Sequence, residues 1–367
     1  PNVNLAKDVS KIFQYEHTDE CLIEGVKRFP AGSYAWYRDK SLNIVKWWNT
    51  LDNLTEVPHD YNAQVEQFRA LFFDACKIRM RSDVPIGTAL SGGLDSSAVI
   101  SCLKNISAGS NERVSRDWQH AFIASFPGTP LDETYYAKKV TGHIGIKETV
   151  IEIDPLKYID KLDDFLFLFE DNYITSPIPF MLTYNAIKSN NVKVSIDGHG
   201  ADELFGGYPF NILSALNDNF YNFKNVSMIL DAYYGIFPVE KSQLNIRQES
   251  RTRFLIKWYA RGFLRQIKKA LKTIAGFKPE KRRLDSLNEV LYNETHLNIL
   301  PTLLRNYDRY SMSNGVEIRM PFMDHRIVSF AFSIPWSSKI RNGFTKSIVR
   351  DAMEPYMPQE IAYRRTK

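Results

Sequence analysis

The chain carries only three cysteines, Cys21, Cys76 and Cys102, in 367 residues. They form no CxxC pair and no metal-ligand spacing, so neither a disulfide framework nor a zinc site organises the fold. A reducing cytoplasm is the expected compartment. No apolar run approaches the roughly 20 residues that a membrane helix needs, so no membrane insertion is expected. The first residues, PNVNLAKDVSKIFQYEHTDE, lack the apolar core of a signal peptide. Internal repeats and low-complexity segments are missing too. So are two common nucleotide signatures, the P-loop GxxxxGK(S/T) and the dinucleotide GxGxxG. Any phosphate chemistry must use another loop.

What is present fits a globular protein of two or three domains, with 44% hydrophobic and 24% charged residues. The formal charge of +5 is concentrated. Residues 261–283, RGFLRQIKKALKTIAGFKPEKRR, hold nine Lys or Arg against one acid. The remainder is slightly acidic, so nucleic-acid binding is not expected of the body of the protein. The basic run is expected to be a solvated helix face followed by a polar loop. Cys21 is expected to be a buried apolar residue.

Four short apolar or alternating runs read as strands: VPIGTAL (84–90), HAFIASF (120–126), ETVIEI (148–153) and VKVSI (192–196). Helical stretches separate them, at 97–104, 132–142, 155–169 and 179–189. This alternation predicts an α/β fold, a doubly wound parallel sheet with extra C-terminal helices. After about residue 210 strand signals fade. Near the N-terminus, GSYAWYRDKSLNIVKWWN alternates aromatic and polar residues and predicts a hairpin.

Two loops carry the chemistry. LSGGLDSSAVI (90–100) follows a strand and opens a helix. Its glycines let backbone N–H groups converge on an anion, and the helix adds its positive end. Ser96 or Ser97 suits an N-cap, and either hydroxyl can also donate to a phosphate oxygen. The second loop, SIDGHGADELFGGY (195–208), also runs from strand to helix. Both loops should open on one sheet edge, facing Asp95 towards Asp202. Two carboxylates beside a polyphosphate repel it unless Mg²⁺ lies between them. Glu203 and Asp202 would also complement the dipole of the helix they begin.

SGGLDSS resembles the pyrophosphate loop of the N-type ATP pyrophosphatases. The wider RMRSDVPIGTALSGGLDSS resembles glutamine-dependent asparagine synthetases. So do FPGTPLDETYYAKKV, DGHGADELFGGY, DRYSMSNGVEIRMPFMDHRIVSFAF and GFTKSIVRDAM, in that order. The resemblance implies an adenine-nucleotide α-hydrolase-like fold and an ATP-dependent, amide-forming ligase. A carboxylate would be activated as an acyl-adenylate with release of pyrophosphate, and ammonia would then displace AMP. Ser91, Gly92, Gly93 and Ser96 would cradle pyrophosphate, with Ser97 beside them. Asp95 and Asp202 would hold Mg²⁺, and Lys346 would supply the cation that the glycine loop lacks. Leu90, Ala124, Asp197 and Gly198 match positions that face the nucleotide in relatives. Glu317, Arg319 and Asp324 are expected to form a buried ion-pair network beneath the site. A homodimer is a further expectation from the resemblance.

The chain departs from this pattern in three places. Asparagine synthetases commonly place a glutamate where His199 stands. A histidine there could act as a base on the incoming amine, or donate a hydrogen bond to a substrate. They also tend to place an arginine near Thr175. These departures keep other acceptors open, a sugar acid or a peptide carboxylate closed into a macrolactam, beside free aspartate. Finally, glutamine-dependent relatives begin with a nucleophilic cysteine, whereas Pro1 stands first here. Residues 1–55 are expected to be the tail end of a glutaminase-like domain, and 60–367 the synthetase. The chain alone would then use free ammonia, with glutamine the source in a complete protein.

Overall fold

The structure, a computed structural model, describes residues 15–109, 119–169, 176–236, 250–274 and 283–366. Strands β1 (Ser33–Arg38) and β2 (Ser41–Lys46) pair as an antiparallel hairpin apart from the main sheet. Asp39 and Lys40, at its two-residue turn, have φ of 51° and 62°. Such left-handed backbone matches the twist of the strands it joins. Thr175 and residues 275–282 of the basic run lie outside the described residues; 261–274 continue the helix Arg251–Ile274. Cys21 is half-buried rather than buried.

The main sheet contains β3 (Ile86–Ala89), β4 (Gln119–Ser125), β5 (Lys147–Glu152), β6 (Val194–Ile196) and β7 (Glu317–Arg319). Their order is β5-β4-β3-β6-β7, and all four pairings are parallel. The chain winds outward from β3 to β5, then returns to the other side of β3 for β6 and β7. The winding thus reverses at β3 and β6, and in such sheets ligands bind at the carboxyl ends of the strands beside that switch point.

Alternation along β4 shows why both faces are covered. Ala121 and Ile123 join one apolar cluster, and Phe122 between them joins another. The first cluster receives α1 (Tyr61–Arg79) and α2 (Leu94–Gly109) through Phe68, Phe72, Val99 and Leu103. Asp60 caps α1 by accepting from Ala63 N at 2.9 Å, and Val65, Phe68, Phe72 and Cys76 bury one stripe. The second cluster takes Met181, Tyr184 and Tyr310 from helices on the opposite face. Among the described residues, no helix is long and apolar enough to cross a membrane.

β7 lies beyond residue 210, in the part of the chain where strand signals fade. Three residues, two of them charged, are too few to display an alternating pattern. As an edge strand, β7 also leaves one side open. Glu317 is exposed, and its 2.8 Å pair with Arg319 lies at the surface, not in a buried network. Only Asp324 is buried, with Arg79 at 3.0 Å and Arg326 at 2.9 Å.

One buried lysine fixes the layer behind the crevice. Lys339 is fully buried, and its Nζ donates to Leu204 O at 2.8 Å and Asn288 Oδ1 at 2.5 Å. Burial pushes its pKa down to about 7, against the pull of Asp285. The neutral amine still has two N–H bonds, enough for both acceptors. Above that value the fold holds a neutral lysine while the unfolded chain binds the proton. Stability therefore rises with pH from about 7 towards the ordinary value of 10.5, by up to ~1.4 kcal/mol per pH unit. Urea unfolding across this range should show that slope in the native protein, and Lys339→Met should flatten it.

Candidate active site

The first loop is shaped before any ligand arrives. Gly92 has φ of 79°, and a Cβ there would lie 2.5 Å from Ala137 N. Both the conformation and the space require glycine. Ser91 Oγ accepts from Gly93 N at 3.2 Å, and Ser96 Oγ accepts from Ser91 N at 3.3 Å. The two hydroxyls lie 3.1 Å apart. Helix α2 starts at Leu94, so Asp95 and Ser96 belong to its first turn and neither Ser96 nor Ser97 is the N-cap. Ser97 is wholly buried, and its hydroxyl has no hydrogen-bond partner among the described residues. Leu90 donates its N–H to Phe122 O at 2.8 Å, and Ala124 lies near the carboxyl end of β4. Both therefore stand at the same edge as the loop.

The second loop is tied to the first. Asp197, 1% exposed, accepts from Ala89 N at 3.0 Å, Ser195 Oγ at 2.6 Å and Tyr184 OH at 2.9 Å. Its carboxylate is thus committed to holding the ends of β3 and β6 together. Gly198 follows. A Cβ there would meet the Asp95 carbonyl carbon and Ser96 N, both at 2.6 Å. His199 stacks on Tyr307, ring centroids 3.6 Å apart. Its Nε2 lies 3.8 Å from Asp197 Oδ2 and has no hydrogen bond among the described residues. Burial holds the imidazole pKa below its ordinary 6.5, although Asp197, Asp95 and Asp202 all oppose that shift. The ring is neutral near pH 7.

The two loops converge on Lys346. Its Nζ lies 2.6 Å from Asp95 Oδ2 and also pairs with Asp202 Oδ1. The lysine is 5% exposed, with φ of 52°, immediately before the helix Ser347–Met353. Gly207 leaves room for it, since a Cβ there would collide with the Asp202 carboxylate and approach Lys346 Cε to 2.5 Å. Ser91, Gly93, Asp95, Asp202, Lys346 and Arg364 share one cleft. The structure therefore brings together the acid pair, the lysine and the serine-glycine loop.

Glu203 and Asp202 are adjacent in the sequence, but their carboxyls part. Glu203 is buried and accepts from Tyr208 OH at 2.5 Å. Burial, reinforced by the charge of Asp202, pushes its pKa up to about 7. Tyr307 was missed. It lies more than 100 positions from His199 in the chain, and no spacing rule connects them.

The donor set can be tested against a metal. Among the described residues, no group of three or more His, Cys, Asp or Glu could hold one. Two carboxylates do meet at one point, and Asp95 Oδ1 is buried without a hydrogen bond among the described residues. This fits Mg²⁺, which takes one or two protein carboxylates and completes its shell with water and phosphate oxygens.

Fold and site together define a doubly wound α/β protein with an anion-type loop and a converging acid pair at its switch point. Residues 67–367 match the family model described as asparagine synthase, and the chain belongs to that family. It is 27% identical to asparagine synthetase (glutamine-hydrolyzing) 1 of Bacillus subtilis (strain 168), over 96% of this chain and 56% of that protein. Asparagine synthetase B (glutamine-hydrolyzing) of Escherichia coli (strain K12) is 26% identical, over 92% of this chain and 50% of that protein. The chain thus spans about half the length of the curated relatives it matches.

Because the obstacle at Gly198 is backbone, neither partner can yield cheaply. Gly198→Ala is expected to lower stability by ~1–3 kcal/mol, as overpacking does. Denaturant unfolding would measure it. A change below ~0.5 kcal/mol, the range of an ordinary surface substitution, would show that the loops do not depend on this contact.

Proposed function

We propose that this chain activates a carboxylate with ATP and converts it to an amide. The observation that carries this reading is the convergence of Asp95, Asp202 and Lys346 beside the Ser91–Gly93 loop. A carboxylate is a poor acyl donor, so it needs a leaving group. A substrate carboxylate oxygen attacks the α-phosphorus, and the bond from that phosphorus to the β-bridging oxygen breaks. Pyrophosphate leaves, and an acyl-adenylate remains. Ammonia then attacks the acyl carbon, AMP leaves with the ester oxygen, and the nitrogen loses a proton.

The residues fit these demands. Backbone N–H groups and hydroxyls between Ser91 and Ser96 would receive the departing pyrophosphate. Asp95 and Asp202 would hold Mg²⁺, which would neutralise charge on the phosphate oxygens. Lys346 would turn its ammonium from the two acids to phosphate. Leu90, Ala124 and Gly198 would offer backbone to the nucleotide. His199, neutral and stacked on Tyr307, would take the proton from the attacking amine.

The similarity to glutamine-hydrolyzing asparagine synthetases supports aspartate as the acid and glutamine as the ultimate nitrogen source. Residues 1–55 would then be the end of a glutaminase-like domain. His199, standing where the resemblance implies a glutamate, favours a second reading, in which the same chemistry acts on a sugar acid or a peptide carboxylate.

Carboxylate-dependent exchange of labelled pyrophosphate into ATP tests the first half-reaction. Aspartate, uronic acids and peptide carboxylates would be screened in turn, and exchange with none of them would end the proposal. Asp95→Asn and Lys346→Met should each reduce exchange at least ~100-fold. Retention of full exchange by either variant would remove that residue from the site.

His199→Ala should spare exchange and slow amide release by ~100-fold or more. With the imidazole pKa depressed, the acid limb of amide formation should fall below pH 6.5. Equal loss in both half-reactions would instead place His199 in adenylation or in folding.

A further inference from the structure

Arg364 follows the short helical turn Gln359–Ala362 and lines the same cleft as Ser91, Asp95 and Lys346. Its guanidinium sits over the Tyr136 ring, Cζ 3.7 Å from the centroid. Nη2 donates to Glu133 Oε1 at 2.7 Å. Nε and Nη1 are buried, and among the described residues neither has a hydrogen-bond partner. Buried donors on a permanent cation are costly to leave unmet.

Of the other cations lining the cleft, Lys346 and Arg350 are engaged by acceptors and Arg365 is exposed to solvent. Lys346 is held by two acids. Arg350 directs Nε to Thr345 O and Nη1 to Ala362 O, both at 2.6 Å. Arg365 lies over the Phe344 ring, its Cζ 4.7 Å from the centroid. Against these cations stand Asp95, Glu133 and Asp202. Arg364 therefore brings donors without a protein partner to the lining of the cleft. Tyr136 packs against its guanidinium, and the Tyr136 Cβ is 2.9 Å from where a side chain on Gly92 would begin. The arginine and the anion loop thus share one neighbour.

We propose that Arg364 is a further phosphate-binding residue of this cleft, satisfying its buried donors with oxygens of the pyrophosphate group. The proposal rests on the ATP-dependent reading above. Guanidinium suits this task because it stays charged and presents several donors in one plane. Glu133 and Tyr136 then act as positioning residues that hold the guanidinium at the cleft.

The test is calorimetric titration of the full chain with inorganic pyrophosphate and Mg²⁺, paired with thermal melting in the absence of both. Arg364→Met should weaken pyrophosphate binding about 10- to 100-fold, the range for hydrogen bonds to a charged group. Its ligand-free melting temperature should stay level or rise, because two unmet donors disappear. Arg364→Lys, which keeps the charge but not the fork, should recover only part of the affinity. Wild-type affinity in Arg364→Met overturns the proposal. So does a lowered ligand-free melting temperature in Arg364→Met together with unchanged affinity in Arg364→Gln, which would mark a structural arginine. Absence of pyrophosphate binding by the native chain would instead sink the ATP-dependent reading itself.

Discussion

The backbone of Gly198 rests against the peptide that joins Asp95 to Ser96, with no space for a methyl group between them. Everything else at the cleft depends on that contact. Parallel strands place their outgoing loops on one edge, but they do not fix the separation of those loops. Asp197 sets it by reaching across to Ala89 N while Tyr184 and Ser195 hold its other lone pairs. The result is a rigid joint between two helix N-termini. Asp95 rides on the first turn of one helix and Asp202 on the first turn of the other, so their carboxylates meet without long flexible linkers.

That joint concentrates negative charge, and the surroundings answer it unevenly. Lys346 supplies one positive charge to two acids. Glu203 and His199, both beside the pair, are pushed towards neutrality by burial. A neutral imidazole close to several carboxylates is unusual, since their charges favour its protonation; here desolvation outweighs them. The paired acids and Lys346 thus stand next to two buried groups whose charged forms burial disfavours.

How far the sequence revealed this follows from the range of each signal. β3 to β6 were legible because each is a compact apolar run bounded by polar or glycine-rich turns. The two loops were legible because glycine, serine and aspartate cluster at strand ends, where local chemistry demands them. β7 was hidden because three residues carry no periodicity, and its Glu317 and Arg319 looked like a buried pair. They lie at an open edge, and edge position is a property of sheet order rather than of local sequence. Tyr307 and Arg364 were hidden for a related reason. Their neighbours, His199 and Tyr136, are more than 100 positions away. The start of α2 at Leu94 was misplaced by three residues because Ser96 and Ser97 mimic a cap.

The position of Lys346 argues that charge, not backbone comfort, chose the residue. Its φ of 52° lies in the left-handed region, where glycine or asparagine would sit more easily. Glycines and asparagines accept similar angles elsewhere, Asn191, Asn342, Gly32 and Gly145 among them. At 346 the fold instead places a lysine and holds it there. Ile348 and Val349 anchor the following helix in the core, and Arg350 grips Thr345 O. Strain of roughly 1–2 kcal/mol is of the size a packed helix can absorb. Glycine would relax the backbone but leave two carboxylates facing one another across a buried cleft. The ammonium offsets that repulsion, and the left-handed turn is what aims it between Asp95 and Asp202.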